Sequence, residues 1–278
     1  QSLAGRGSCT PCASGTYTGS GGQSICLQCS PGTASNATGA RSCDACVVGK
    51  VQAASGATSC VDCGDGTYMS QTGQQYCLLC EAGTASSAIG LNSTCPSCAS
   101  GTYQNLPGQS QCLNCTAGTF NGDVKQTSCS NCARGSYSAV NGSVACIPCG
   151  AGTAQSLPGS SSCSACDAGE FNGATAQADC SPCPPGYFSN TTGLTECYPC
   201  PAGTAQDANG QVACKPCQVG TFVSSTAQKV CSLCGVGTYT NVNGSIECTP
   251  CAAGTAQAAL GSSECTVCSA GEFNAATG

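Results

Sequence analysis

Cysteines recur along this chain as C-x-x-C pairs, and their spacing limits its possible folds more than any other feature. Pairs begin at Cys9, Cys26, Cys43, Cys60 and Cys77, and then at Cys95, Cys112, Cys129, Cys146, Cys163, Cys180, Cys197, Cys214, Cys231, Cys248 and Cys265. The step is 17 residues throughout, except for 18 between Cys77 and Cys95. A fixed period of this length marks a repeat architecture, in which each unit is too small to bury its own core and depends on its neighbours. Residues 1–278 therefore read as one tandem array of about 16 units.

Composition points the same way. With 32 Cys and 38 Gly among 278 residues, and only 5% aromatic side chains, the chain cannot fill one hydrophobic core of its size. Covalent cross-links are the alternative, since closing a loop of ~15 residues contributes roughly 3 kcal/mol in the chain-entropy account. The net charge of −6, with 7 basic residues scattered along the chain, gives no electrostatic footprint for nucleic acid. The sequence has no apolar run near 18 residues and no amphipathic helix period, so no membrane span is expected in this region. Both ends fall inside a unit: Gln1–Cys9 matches the second half of the unit at Gln155–Cys163, and Gly278 precedes the expected closing cysteine. This suggests a window on a longer array.

Each unit follows C-x2-C-x2-G-[TEKSY]-[YFAV]-x4-G-x3. Gly stands three residues after the second cysteine in all 16 copies, from Gly15 to Gly271, as expected where the backbone needs φ > 0 or a close approach. A second Gly, ten residues after the same cysteine, is replaced at Lys125, Ala176 and Ala227, which are 51 residues apart. The aromatic position repeats this longer period. Ala occupies it at Ala34, Ala85, Ala154, Ala205 and Ala256; Phe at Phe120, Phe171, Phe222 and Phe273; Tyr or Phe at Tyr17, Tyr68, Tyr137, Phe188 and Tyr239; Val51 is an exception. Units thus group into 51-residue triplets, which fits either duplication of an ancestral triplet or a superhelix of about three units per turn with Ala at a crowded surface. The expected fold is a small disulfide-rich repeat array, an elongated solenoid-like or superhelical rod. Each unit should hold one short β-hairpin, with strands expected within Gly15–Thr18 and Gln23–Cys26, and essentially no helix should form. The two residues inside each C-x-x-C read as the joint between units, stiffened by proline at Pro11, Pro148, Pro182, Pro199, Pro216 and Pro250.

Three chemistries compete for the cysteines. Thiol redox needs one motif at a helix N-terminus, and sixteen copies without helices do not supply it. Zinc accepts C-x2-C-x13-C-x2-C as ligand spacing, but each four-cysteine site would add about two negative charges to an already acidic chain. Disulfides fit best, and an oxidising secretory route also suits the N-glycosylation sequons at Asn36, Asn92, Asn141, Asn190 and Asn243. A sixth, at Asn114, sits inside a C-x-x-C and is the poorest acceptor. Two connectivities are open. One joins first to first and second to second cysteines, as in Cys9–Cys26 with Cys12–Cys29, and predicts odd–even alternation of units. The other joins each second cysteine to the next first one. Its pairs are Cys12–Cys26, Cys29–Cys43, Cys46–Cys60, Cys63–Cys77, Cys80–Cys95, Cys98–Cys112, Cys115–Cys129 and Cys132–Cys146, then Cys149–Cys163, Cys166–Cys180, Cys183–Cys197, Cys200–Cys214, Cys217–Cys231, Cys234–Cys248 and Cys251–Cys265. It makes every unit one loop, leaves Cys9 and Cys268 over, and agrees better with a super-period of three.

The unit C-x-x-C-x-x-G-T-Y/F…G…C-x-x-C resembles the ephrin-receptor-like cysteine-rich repeat along the whole chain. It is also similar to the single-disulfide modules of tumour necrosis factor receptors. The resemblance implies extracellular, elongated disulfide-ladder modules and, for those receptors, the one-loop pairing. It implies no ligand contacts, because no loop stands out from its copies, and the array is more regular than binding ectodomains of that kind. The chain has no His, its acids recur sporadically, and its Gly-Thr-Ala and Gly-Thr-Tyr segments lack the strand–helix context of phosphate loops, so no catalytic residue, metal or cofactor is expected. The function expected is that of an extracellular, glycosylated structural protein forming a stiff filament, stalk or coat. Its partners would be copies of itself, with N-glycans and O-glycans attached. A spacer or ligand-binding ectodomain of a surface receptor, adhesion protein or protist surface antigen is the alternative. Thiol titration of denatured, unreduced protein should find almost no free cysteine and no released zinc; abundant thiols would reverse the compartment assignment.

Overall fold

The computed structural model describes residues 8–277. Among these residues there is no helix, and the regular structure consists of two-residue strands paired into fourteen separate antiparallel hairpins. In the first, β1 (Thr16–Tyr17) pairs with β2 (Leu27–Gln28), with Thr16 opposite Gln28 and Tyr17 opposite Leu27. The same register repeats down the chain, as in Thr119–Phe120 with Ser130–Asn131 and Thr238–Tyr239 with Thr249–Pro250. The fold is a disulfide-rich repeat array.

The second strand is not at Gln23–Cys26, where it is expected to flank the Gly turn. It consists of the two residues inside the C-x-x-C, so the expected joint is itself a strand. The prolines do not prevent this. The backbone bond from Cys29 N–H to the Gly15 carbonyl sets the alternation of the ladder, so the strand's second residue turns its N–H away from the partner strand. Proline, which has no N–H, is tolerated at that outward position, as at Pro148, Pro199 and Pro250. Where the extra residue lengthens the Cys80–Cys95 unit, the hairpin shrinks to a single bridge, Thr84 to Ser97.

The unit between Cys29 and Cys43 shows how sequence dictates the path. Ser30-Pro31-Gly32-Thr33 forms a β-turn, with the Thr33 N–H donating to the Ser30 carbonyl at 3.0 Å and Gly32 at φ +83°. Positive φ at the third turn position is the type II geometry that favours Gly there and Pro just before it. The Thr33 hydroxyl donates to the same carbonyl at 2.7 Å, which explains why Thr follows this Gly so often. Three backbone bonds then tie the unit to the next: Gly32 N–H to the Gln52 carbonyl at 2.6 Å, Ser35 N–H to Ala57 at 3.1 Å, and Gly56 N–H to Cys29 at 2.8 Å. The junction after Cys149 repeats the set, with Gly152 to Asn172, Gln155 to Gln177 and Ala176 to Cys149. Ala176 makes the bond that Gly makes elsewhere, and it does so at φ +60°, as do Lys125 at +60° and Ala227 at +59°. The backbone at this position is thus fixed by the junction and not by the residue type.

Gly32 has a second reason to be glycine. Its Cα lies under the Gly73 carbonyl two units along, and a Cβ would run into that oxygen. Gly152 stands in the same relation to Gly193. The described residues fall into two compact bodies, one running to Asn131 together with Val140–Ala145, the other comprising Cys132–Ala139 and the residues from Cys146 on. Within each body the units make these same contacts with the next unit and the one after it.

Gly152→Ala is expected to lower stability by about 3 kcal/mol or more, combining left-handed strain with overpacking. Gly193→Ala, where a Cβ meets nothing closer than 3.8 Å, should cost only about 1 kcal/mol. Thermal unfolding of the oxidised variants checks the contrast, and equal losses would contradict the packing described.

Candidate functional site

Fifteen disulfides join each second cysteine to the next first cysteine, from Cys12–Cys26 to Cys251–Cys265, with Cα separations between 5.5 and 5.8 Å. Of the two connectivities open in the sequence, the structure has the one-loop scheme, with Cys9 and Cys268 unpaired. The second cysteine of each C-x-x-C from Cys12 to Cys251 is buried, and Cys29, Cys63, Cys115 and Cys183 are fully covered; among first cysteines Cys95 is buried as well. The core of a unit is therefore its cystine, with no aliphatic cluster around it. Among the described residues no group of three or more His, Cys, Asp or Glu side chains is arranged to hold a metal ion, and no helix is long and apolar enough to cross a membrane.

The residue after the aromatic position was not singled out by its sequence and proves central. It is buried in most units, although it is usually polar: Ser35, Ser86, Gln104, Asn121, Ser138, Asn172, Ser189, Gln206 and Thr240, with Met69 and Val223 as apolar versions. No buried polar side-chain atom among the described residues lacks a partner, so burial here carries no desolvation penalty without return. Gln206, 1% exposed, donates to the Ala213 carbonyl at 2.9 Å and accepts from the Ala208 N–H at 3.2 Å, closing the loop of its own unit. Gln104, Gln155 and Gln257 repeat this clamp. Asn is one methylene shorter and works differently. Asn172 accepts from Ala174 N–H at 3.1 Å but donates to Thr153 of the preceding unit at 2.7 Å, and Asn121 and Asn274 do likewise. The 51-residue triplet thus has a chemical content from Cys149 on. Gln follows Ala in Ala154-Gln155 and Ala205-Gln206, Asn follows the first ring in Phe171-Asn172 with Val223 in that place after Phe222, and Ser or Thr follows the second ring in Phe188-Ser189 and Tyr239-Thr240. The 51-residue recurrence of Gln155, Gln206 and Gln257 was the available signal.

The sequons lie on the outside. Asn36, Asn92, Asn114, Asn141, Asn190 and Asn243 are all exposed. Ala34, Ala85, Ala154 and Ala205 are buried where the rings at equivalent positions from Tyr17 to Tyr239 are half-buried, while Ala256 and Phe273, in the last two units, are exposed. Each hairpin shows a cross-strand pair: Tyr68 with Leu78, Tyr137 with Ile147, and Phe188 with Tyr198, whose rings are 5.8 Å apart. Four acidic side chains, Asp62, Glu81, Asp179 and Asp207, enter surface ion pairs, each worth at most about 1 kcal/mol. Lys50 meets Asp62 across a hairpin at 2.7 Å, and Arg134 reaches Asp179 two units on at 2.8 Å. Asp207 is held below the usual carboxylate range, first by a hydrogen bond from its own backbone and then by Lys215. A surface cavity of about 250 Å³ between neighbouring units is lined by Gln155, Asp167, Glu170 and Asp179.

Gln206→Ala removes the side-chain bonds to the Ala213 carbonyl and from the Ala208 N–H and is expected to cost about 1–3 kcal/mol, whereas Asn172→Ala should loosen the junction to Thr153 by about 1–2 kcal/mol. Amide exchange locates each loss: at Ala208 within the unit for the first, and spread over two units for the second. Exchange unchanged in both variants would contradict the clamps.

A family model described as "Tyrosine-protein kinase ephrin type A/B receptor-like" matches residues 1–46, 83–128, 118–166, 169–212, 186–222, 203–247, 220–268 and 237–278. Comparison with curated proteins returns no match. The matches follow the same cysteine-closed loops and turn glycines that build each unit, and they cover most of its length: the chain belongs to the ephrin type A/B receptor-like repeat family.

Proposed function

We propose that the chain is an extracellular structural protein whose disulfide-stapled units form a stiff filament, stalk or coat, acting through repetition and without catalysis. The observation that carries this reading is the uniformity of the junctions. The Cys29 and Cys149 units engage their neighbours through the same three backbone bonds, although their side chains differ. Backbone-to-backbone contacts of this kind are insensitive to surface substitution and extend to any number of units. Fifteen disulfides suit an oxidising, extracellular compartment and would not persist among cytosolic reductants. Exposed aliphatic and aromatic side chains recurring on the hairpins, such as Leu78, Leu113, Ile147 and Tyr198, offer periodic contacts for further copies of the chain.

A second reading is favoured by the family description itself, which names a receptor: the array would be the spacer or ligand-binding part of a cell-surface ectodomain. Electron microscopy of native material separates the two. The structural reading expects fibres or rods with an axial repeat that persist on dilution. Dispersed particles that stay single at high concentration would overturn it in favour of the ectodomain.

A further inference from the structure

Among the exposed sequons, two do more than present a side chain to solvent. We infer that Asn141 and Asn243 are glycosylated asparagines that also staple their unit to the preceding one; this rests on the secretory route proposed above. The Asn141 Oδ1 accepts a hydrogen bond from the Ala117 N–H at 2.9 Å, and the Asn243 Oδ1 from the Val219 N–H at 3.1 Å, each spanning 24 residues. Ala117 and Val219 are the residues just before the turn glycines Gly118 and Gly220. Their N–H groups are the ones the turn itself does not use; Pro31 and Pro185 hold the same place with no N–H at all.

Because the partner is a donor, the atom facing it must be the carboxamide oxygen, which leaves Nδ2 on the other side of the amide group. N-glycosylation uses that nitrogen alone. Nδ2 attacks C1 of a lipid-diphosphate-linked oligosaccharide, the C1–O bond to phosphate breaks, Nδ2 loses one proton, and the lipid diphosphate leaves. Oδ1 is untouched, so staple and sugar coexist on one side chain, and the staple orients the sugar at the junction. The hydroxyls that complete the two sequons are already committed in the folded chain. Ser143 donates to Val140 and Ser245 to Val242, each at 2.9 Å, and Ser245 is buried. Sugar addition must therefore precede closure of these loops. The arrangement also follows the triplet. Tyr137, Phe188 and Tyr239 mark successive units of the same phase, and each of those units carries one sequon, at Asn141, Asn190 and Asn243.

The test uses the full chain secreted from a glycosylating host. Peptide N-glycosidase treatment in heavy-oxygen water should label the peptides containing Asn141 and Asn243. Label at Asn36, Asn92 or Asn190 with none at these two overturns the inference and leaves the secretory reading intact; a chain with free thiols and no label removes both. Amide exchange reads the staple separately. Enzymatic removal of the sugar leaves Asp, which keeps an acceptor oxygen, so exchange at Ala117 and Val219 should stay as in the native chain, as it should in Asn243→Asp. Asn141→Ala and Asn243→Ala should speed it by about fivefold, the effect of one lost hydrogen bond. Unchanged exchange in the alanine variants overturns the staple.

Discussion

A turn glycine packs against a carbonyl two units along, as at Gly32 under Gly73 and Gly152 under Gly193, so closely that a Cβ would not fit. The rest of the architecture depends on it. A side chain there would push the units apart, and the three backbone bonds of each junction would lengthen together. The disulfide makes that approach possible by fixing the loop that carries the opposing carbonyl. Chain-entropy arguments give such a loop roughly 3 kcal/mol, but a closed loop without the glycine contact would be a bead on a string. Cross-link and steric fit therefore play different parts: one defines the unit and the other the array.

A protein built this way has little use for an aliphatic core. Leucine, valine and isoleucine are largely exposed, while Gln206, Asn172 and Ser189 are buried. Burial of amides is stable only when every donor and acceptor is met, and here the partners are backbone groups, in the unit's own loop for Gln206 and including the strand residue Thr153 of the preceding unit for Asn172. The short amide side chains take the place of a sheet ladder. This also gives the 51-residue triplet a physical content: Gln closes its own loop, Asn reaches back to the preceding unit, and Ser or Thr caps with a hydroxyl.

The consequence for function is that chemistry is spread evenly. Among the described residues ion pairs form within a hairpin, as between Lys50 and Asp62, or two units apart, as between Arg134 and Asp179. What distinguishes one part of the surface from another is what it displays: exposed cross-strand pairs on the hairpins and sequons in the mid-unit loops. A periodic surface that presents side chains and sequons at set intervals is what the proposed structural role would use.

The sequence by itself determined the repeat, its 17-residue step and 51-residue super-period, the disulfide character, the single short hairpin per unit and the kinship with ephrin-receptor-like repeats, because each of these is a matter of spacing along one chain. Its glycines were legible as left-handed turns for the same reason. Only the tertiary structure decided the rest. It moved the second strand from Gln23–Cys26 to Leu27–Gln28, since strand pairing depends on where the disulfide brings the chain back. It kept Lys125, Ala176 and Ala227 in a glycine's conformation, since the junction bond there uses a backbone N–H that any of these residues supplies. It placed Gln206 and Asn172 in the interior, since their partners lie seven and nineteen residues away and local polarity cannot reveal a bond made across that distance.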